Sequence, residues 1–236
     1  MSGVIVWDAR AAIEPGPKPR LQGVSIHRGG VRALAALHNG TLAVACGDGA
    51  VRVYDVNTGA VFTKLPASKR GVGALAALRC GKLVMGLHDF TVQVWDVGQA
   101  ARVAEEGIEW SAVVQLTDGR IAIGSLDVVE VVDTISLDFE AGQILEYSQG
   151  ENGTALTALP DGRLVGGTDS GDVVVWDTRT SATHAADNTP ARRVGHIPVR
   201  GHCAGNAVSA LLPLPGGRLA SGTEDGRLYL WHVPPA

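Results

Sequence analysis

The side chains best suited to chemistry lie close together near the end of the chain. His184, His196, His202 and Cys203 are of the types that hold zinc. Their spacing argues against a centre, because neither a C-x-x-C nor an H-x-x-x-H pair occurs among them. In Gly201-His202-Cys203-Ala204-Gly205 a thiol adjoins an imidazole in sequence, but a nucleophile is activated by a base near it in space. No Gly-x-Ser-x-Gly elbow and no phosphate-cradling Gly-x-x-x-x-Gly-Lys is present. Paired carboxylates could serve glycoside hydrolysis if distant acids converged. The acids available, Asp48, Asp89, Asp127 and Asp225, all sit in short turns whose geometry already accounts for them. Glu105, Glu106 and Glu109 read as a solvated loop, and His88 as a polar turn residue. The basic residues Lys69-Arg70 and Arg192-Arg193 with Arg200 are too few for a nucleic-acid footprint.

The elements that carry these residues repeat. Gly40-Thr41-Leu42, Gly81-Lys82-Leu83, Gly119-Arg120-Ile121, Gly162-Arg163-Leu164 and Gly217-Arg218-Leu219 each open a short apolar run. Their spacings are 41, 38, 43 and 55 residues. About a dozen residues after each comes an alternating strand ending in VRVYD, VQVWD, VEVVD, VVVWD or LYLWH. Each block reads as an inner strand, a hairpin turn, a second strand, a tight turn and a third strand, as in VRALAAL-HNG-TLAVACG-DG-AVRVYDV. Outer strands fit at Val61–Ala67, Ala101–Gly107, Gln143–Ser148 and within Arg192–Arg200. No segment has capped helical periodicity.

Composition agrees with many short strands: 31 glycines serve turns, and the net charge of −4 favours neither nucleic acid nor an anionic membrane. No run of 18 apolar residues is present, and MSGVIVWDARAAIEPG lacks the basic flank and apolar core of a secretory leader. The three cysteines, Cys46, Cys80 and Cys203, read as reduced thiols of a cytoplasmic protein, with a nuclear one also compatible.

Sheets that cannot bury both faces alone must stack on their neighbours, and radial stacking at this period gives a β-propeller. The chain resembles the WD-repeat β-propeller family. Trp7-Asp8, Trp95-Asp96 and Trp176-Asp177 are literal WD dipeptides, with Tyr54-Asp55, Val132-Asp133 and Trp231-His232 as variants in register. The last repeat alone carries the family's Gly-His, Ser and Asp. The resemblance therefore implies a structural network of His202, Ser221, Asp225 and Trp231. Val44, Met85, Ile123 and Gly166 stand at the Ser position elsewhere, so the other repeats are expected to rely on apolar packing.

The expectation is an all-β fold, a single β-propeller domain of WD-repeat type over 1–236 with about five to six blades. Repeats fall near 1–27 (partial), 28–67, 68–107, 108–149, 150–200 and 201–236, the last without its outer strand. The opening Val4–Trp7 reads as a third strand with no inner partners. Three readings stay open: a fragment of a seven-bladed ring, a small closed propeller, or a ring completed by another polypeptide.

The function expected is a non-enzymatic protein–protein interaction scaffold, with other proteins as partners within a multi-subunit complex. No cofactor, metal, membrane or small-molecule substrate is implied. The alternatives are a central-pocket enzyme built from acids of several blades, or an RNA- or ubiquitin-linked module. Candidate partner-binding residues are Phe90, His88, Arg70, Trp110, Arg192 and Arg193. Phe90 holds a turn position occupied by Gly49 and Gly226 elsewhere. Trp110 stands where other repeats have Val31, Val72 and Val208, in a blade whose usual Trp is Val132. Its indole either fills that volume or meets a partner.

Overall fold

In the computed structural model, residues 3–4, 24–25, 30–66, 71–134, 142–147, 150–178, 193–197 and 206–233 are described. The chain divides into two compact units, Met1–Gly107 and Ile108–Ala236.

In the first unit, β1 (Gly3–Val4) pairs antiparallel with β2 (Val24–Ser25). A first four-stranded meander follows: β3 (Val31–Ala36), β4 (Thr41–Cys46), β5 (Val51–Asp55) and β6 (Val61–Leu65). The second has the same order: β7 (Val72–Ala77), β8 (Lys82–Leu87), β9 (Thr91–Asp96) and β10 (Ala101–Gly107). The other unit holds a third meander of β11 (Ala112–Gln115), β12 (Ile121–Gly124), β13 (Val128–Val132) and β14 (Gln143–Glu146). The fourth comprises β15 (Gly153–Ala158), β16 (Arg163–Thr168), β17 (Val173–Asp177) and β18 (Arg193–Ile197). The fifth sheet has three strands, β19 (Val208–Leu214), β20 (Arg218–Thr223) and β21 (Leu228–His232).

β-Branched residues alternating at period two give each strand two distinct faces. The aromatic face carries the Trp or Tyr of the third strand and its cross-strand partner: Leu42↔Tyr54, Leu83↔Trp95, Leu164↔Trp176 and Leu219↔Trp231. The opposite face carries small and β-branched residues, such as Ala43↔Val53 and Val165↔Val175. One rule governs stacking in both units: the aromatic face of a sheet packs on the small-residue face of the preceding one. Ala35, Ala43, Ala45, Val51 and Val53 meet Leu83, Met85, Leu87 and Trp95. Ala122, Val129 and Val131 meet Leu164, Val174 and Trp176. Ala155, Val165, Val173 and Val175 meet Val208 and Leu219, with Trp231 packed against them. Large against small fills the space between sheets at close-packed density. Each fully buried side chain of this size contributes about 1.5–3 kcal/mol.

A second repeated device sits at the start of the inner strand. The register slips between Val31 and Ala33, Val72 and Ala74, Gly153 and Ala155, and Val208 and Ala210. Such bulges bend a strand and increase its twist. The third sheet lacks the slip, and its pairing starts evenly at Ala112↔Gly124.

Candidate interaction surface

The polar groups of the turns are largely committed locally. The Asp48 carboxylate accepts bonds from Arg52 Nη1 at 3.0 Å and Nη2 at 2.6 Å, and from the Ala50 amide at 3.1 Å. The Arg52 guanidinium therefore holds the Asp48 pKa down to about 2, against burial acting the other way. Asp118-Gly119-Arg120 and Asp161-Gly162-Arg163 build one device twice: the Asp accepts from both the amide and the guanidinium of the Arg two residues on. Asp89 accepts from the Thr91 hydroxyl at 2.6 Å. Asp225 accepts from Thr223 Oγ1 and from Asn206 Nδ2. Among the described residues, no group of three or more His, Cys, Asp or Glu could hold a metal ion.

The slot beside the indole is filled differently in each of the three sheets that carry a Trp on the third strand. In the fifth sheet Trp231 Nε1 donates to Ser221 Oγ at 2.9 Å, which is the inner leg of the anticipated network. Asp225 lies two residues beyond Thr223 in the following turn, and His202 lies outside the described residues. In the second sheet Met85 occupies the Ser221 position, yet the indole is satisfied. Trp95 Nε1 donates to Gln93 Oε1 at 2.9 Å. The expectation that this repeat relies on apolar packing alone is thus corrected, because Gln93 faces Met85 across the ladder and reaches the same nitrogen. In the fourth sheet Gly166 leaves room that Tyr147 enters. Its ring meets Trp176 edge-on, with centroids 5.1 Å apart. Both Trp176 Nε1 and the Tyr147 hydroxyl are buried without a hydrogen-bond partner, and burial pushes the phenol pKa up.

The candidate contact residues fall in separate places. Phe90 and His88 share the β8–β9 turn, and both are exposed. Phe90 is 60% exposed and has φ +59°. Gly49, Gly171 and Gly226 hold the equivalent turns at φ +80°, +94° and +83°. A phenylalanine here is held in left-handed backbone that costs about 1–2 kcal/mol, with no core contact to offset it. Trp110 is half-buried and falls in the segment before β11, not within the strand as its alignment with Val31 suggested. Arg70 and Arg192 lie outside the described residues, and Arg193 opens β18.

Two features were missed at the sequence level. One is a cleft of about 560 Å³ in the first unit, lined by Leu37, His38, Phe62, Arg79, Cys80 and Asp96. Its smaller counterpart of about 240 Å³ lies between the fourth and fifth sheets, at Leu159, Pro160, Leu214 and Pro215. The other is the small-residue face of the fifth sheet, where Leu212, Leu228 and Leu230 are 59%, 72% and 65% exposed. Its signal was present in LYLWH, where leucines alternate with the aromatics that face the fourth sheet.

The model of the WD domain, G-beta repeat, matches at residues 19–55 and 194–232. Among solved structures, the β-propeller domain of Cps50 (Swd1) from Myceliophteria thermophila is similar, with TM-score 0.70 and 20% identity. That match covers 89% of this chain and 67% of that one. A chain of the mitotic checkpoint complex is similar with TM-score 0.76 and 21% identity, over 98% of this chain and 68% of that one. At these identities the likeness establishes the fold. Among curated proteins no relative matches.

Proposed function

We propose that this chain, a β-propeller fold carrying WD repeats, works as a non-catalytic scaffold that holds other proteins in a multi-subunit assembly. One contrast carries the reading. Turn acids are tied into their own turns by hydrogen bonds, while large apolar side chains such as Phe90 and Leu230 stand in solvent. Catalysis needs polar groups poised at a reacting centre, whereas recognition needs exposed apolar and aromatic anchors. The two solved relatives offer a parallel: one is a chain of a mitotic checkpoint complex. The free thiols Cys46, buried, and Cys80, exposed, suit a reducing compartment and support a cytoplasmic setting. The whole chain is read as one such domain.

The test is native mass spectrometry of the chain isolated from its own cells, with its assemblies intact. A stoichiometric complex with other proteins, weakened by Phe90→Ala or Leu230→Arg, is the expected result. A chain that stays alone and turns over a substrate would overturn the reading.

A further inference from the structure

In the first four sheets the first strand turns into the second by one device. The amide of Leu37, Leu78, Leu116 or Leu159 donates to the carbonyl four residues on, and a glycine precedes that residue. The two residues in between differ by unit. In the second unit they are Thr117-Asp118 and Pro160-Asp161, and each Asp pairs with the guanidinium two residues on, Arg120 or Arg163. In the first unit they are His38-Asn39 and Arg79-Cys80, so neither turn carries an acid.

These two acid-free turns, one from each sheet, line the cleft of about 560 Å³. In the smaller cleft of about 240 Å³, Pro160 and Pro215 stand where His38 and Arg79 stand here. His38, Arg79, Cys80 and Phe62 are exposed, while Leu37 and Val97 give the lining a buried apolar part. Among the described residues the one carboxylate of the lining is that of Asp96, and its Oδ1 accepts from the Gln99 amide at 2.9 Å. The cleft therefore combines cationic donors and an aromatic ring with an acid held by its own turn.

We propose that this cleft binds an acidic segment of a partner protein. A carboxylate of the partner is held by His38 and Arg79, and an apolar side chain beside it lies against Leu37, Phe62 and Val97. The proposal rests on the scaffold reading and names the partner chemistry for one site of it. Imidazole and guanidinium N–H groups make charge-assisted bonds to a carboxylate. Arginine has five such donors, so it can hold a carboxylate beside a bond it makes within the fold. The volume suits a few peptide side chains, since pockets of about 300–1,000 Å³ enclose ligands of that size. A basic segment would meet the cations of both turns. A nucleic acid needs a longer basic stripe than two side chains supply.

The test uses Cys80 as a reporter in the full chain, with Cys203→Ser as background and Cys46 buried. Three short peptides, Glu-Leu-Glu, Glu-Ser-Glu and Lys-Leu-Lys, each carry a capped disulfide and exchange reversibly with the thiol. Mass spectrometry reads the mixed disulfide at Cys80. Glu-Leu-Glu should be captured about tenfold more readily than Lys-Leu-Lys, and more readily than Glu-Ser-Glu. Arg79→Gln and His38→Gln should each shrink the charge preference, and Phe62→Ala the preference for leucine. Equal capture of acidic and basic peptides overturns the proposal, as does a preference that both charge variants leave intact. So does a Cys80 that reacts in urea but with no peptide in the folded chain, since the cleft is then already covered. If native complexes persist in the Arg79→Gln chain and the peptides show no preference, the cleft falls while the scaffold reading stands. If the wild-type chain forms no complex, both fall.

Discussion

Trp95 Nε1 donates to Gln93 Oε1 at 2.9 Å, across two residues of one strand. Both side chains are buried, so the bond satisfies an indole that has no water to turn to. Gln93→Leu should cost about 1–3 kcal/mol by orphaning that nitrogen. In a double-mutant cycle with Trp95→Phe the two effects should be non-additive by about 0.5 kcal/mol or more. Additive urea midpoints would show that the pair is not coupled.

The fourth sheet should respond in the opposite sense to restoring the family residue. A Cβ at Gly166 would lie 2.7 Å from the Trp176 ring and 2.7 Å from the Tyr147 hydroxyl. Gly166→Ser should therefore destabilise by about 1–3 kcal/mol through overpacking, although it brings an acceptor. Tyr147→Phe removes a buried hydroxyl that has no partner, so stability should hold or rise by up to about 1 kcal/mol. A clear loss on Tyr147→Phe would mean that the hydroxyl is satisfied in solution.

Phe90 offers a trade between stability and contact. Phe90→Gly should stabilise by about 1 kcal/mol by relieving the left-handed backbone. Under the scaffold reading the same change should weaken assembly. Thermal melts and native mass spectra of one variant read both effects, and an unchanged assembly would remove Phe90 from the interface.

Acid should release the Asp48–Arg52 pair. The Asp48 pKa falls from 3.8 to about 2 on folding because Arg52 bonds the charged form. A lowered folded value means that the stabilisation is fully present above the unfolded pKa and is lost as pH falls from about 4 towards 2. Asp48→Asn should be less stable than wild type at pH 5, by about 1–2 kcal/mol for a lost charged hydrogen bond. The gap should close near pH 2, and urea midpoints across that range check it.

Burial ranks the tryptophans. Trp176 is wholly buried, whereas Trp231 on the fifth sheet is only partly so. Trp176→Ala should cost about 3–5 kcal/mol and Trp231→Ala distinctly less. Equal losses would indicate that Trp231 is packed as tightly against the fourth sheet as Trp176 is against the third.

Strand positions were legible in the sequence because period-two alternation and Asp-Gly turns are local signals. β6, β10, β14 and β18 all fall within the short segments between the repeats that the sequence reading assigned to outer strands. The Trp231–Ser221 bond was legible too, since both residues match a family pattern. Gln93 was not, because an uncharged residue within VQVWD carries no pattern, and only the pairing Met85↔Gln93 brings it under the indole. Tyr147 was hidden for a similar reason: it follows β14, outside the recurring blocks, and reaches Gly166 through tertiary packing alone. The exposure of Leu228 and Leu230 was not legible, because alternation tells which face a residue is on and not what lies against that face.

The slip at the head of β3, β7, β15 and β19 has a consequence for how such a chain can change length. Each of these four modules begins with its own kink and so sets its own frame. A whole module can be duplicated or lost while the others keep step, whereas a single-residue insertion inside one would turn its strand inside out. Growth by complete units, with smaller length differences confined to the joints, is the only tolerant course left to it.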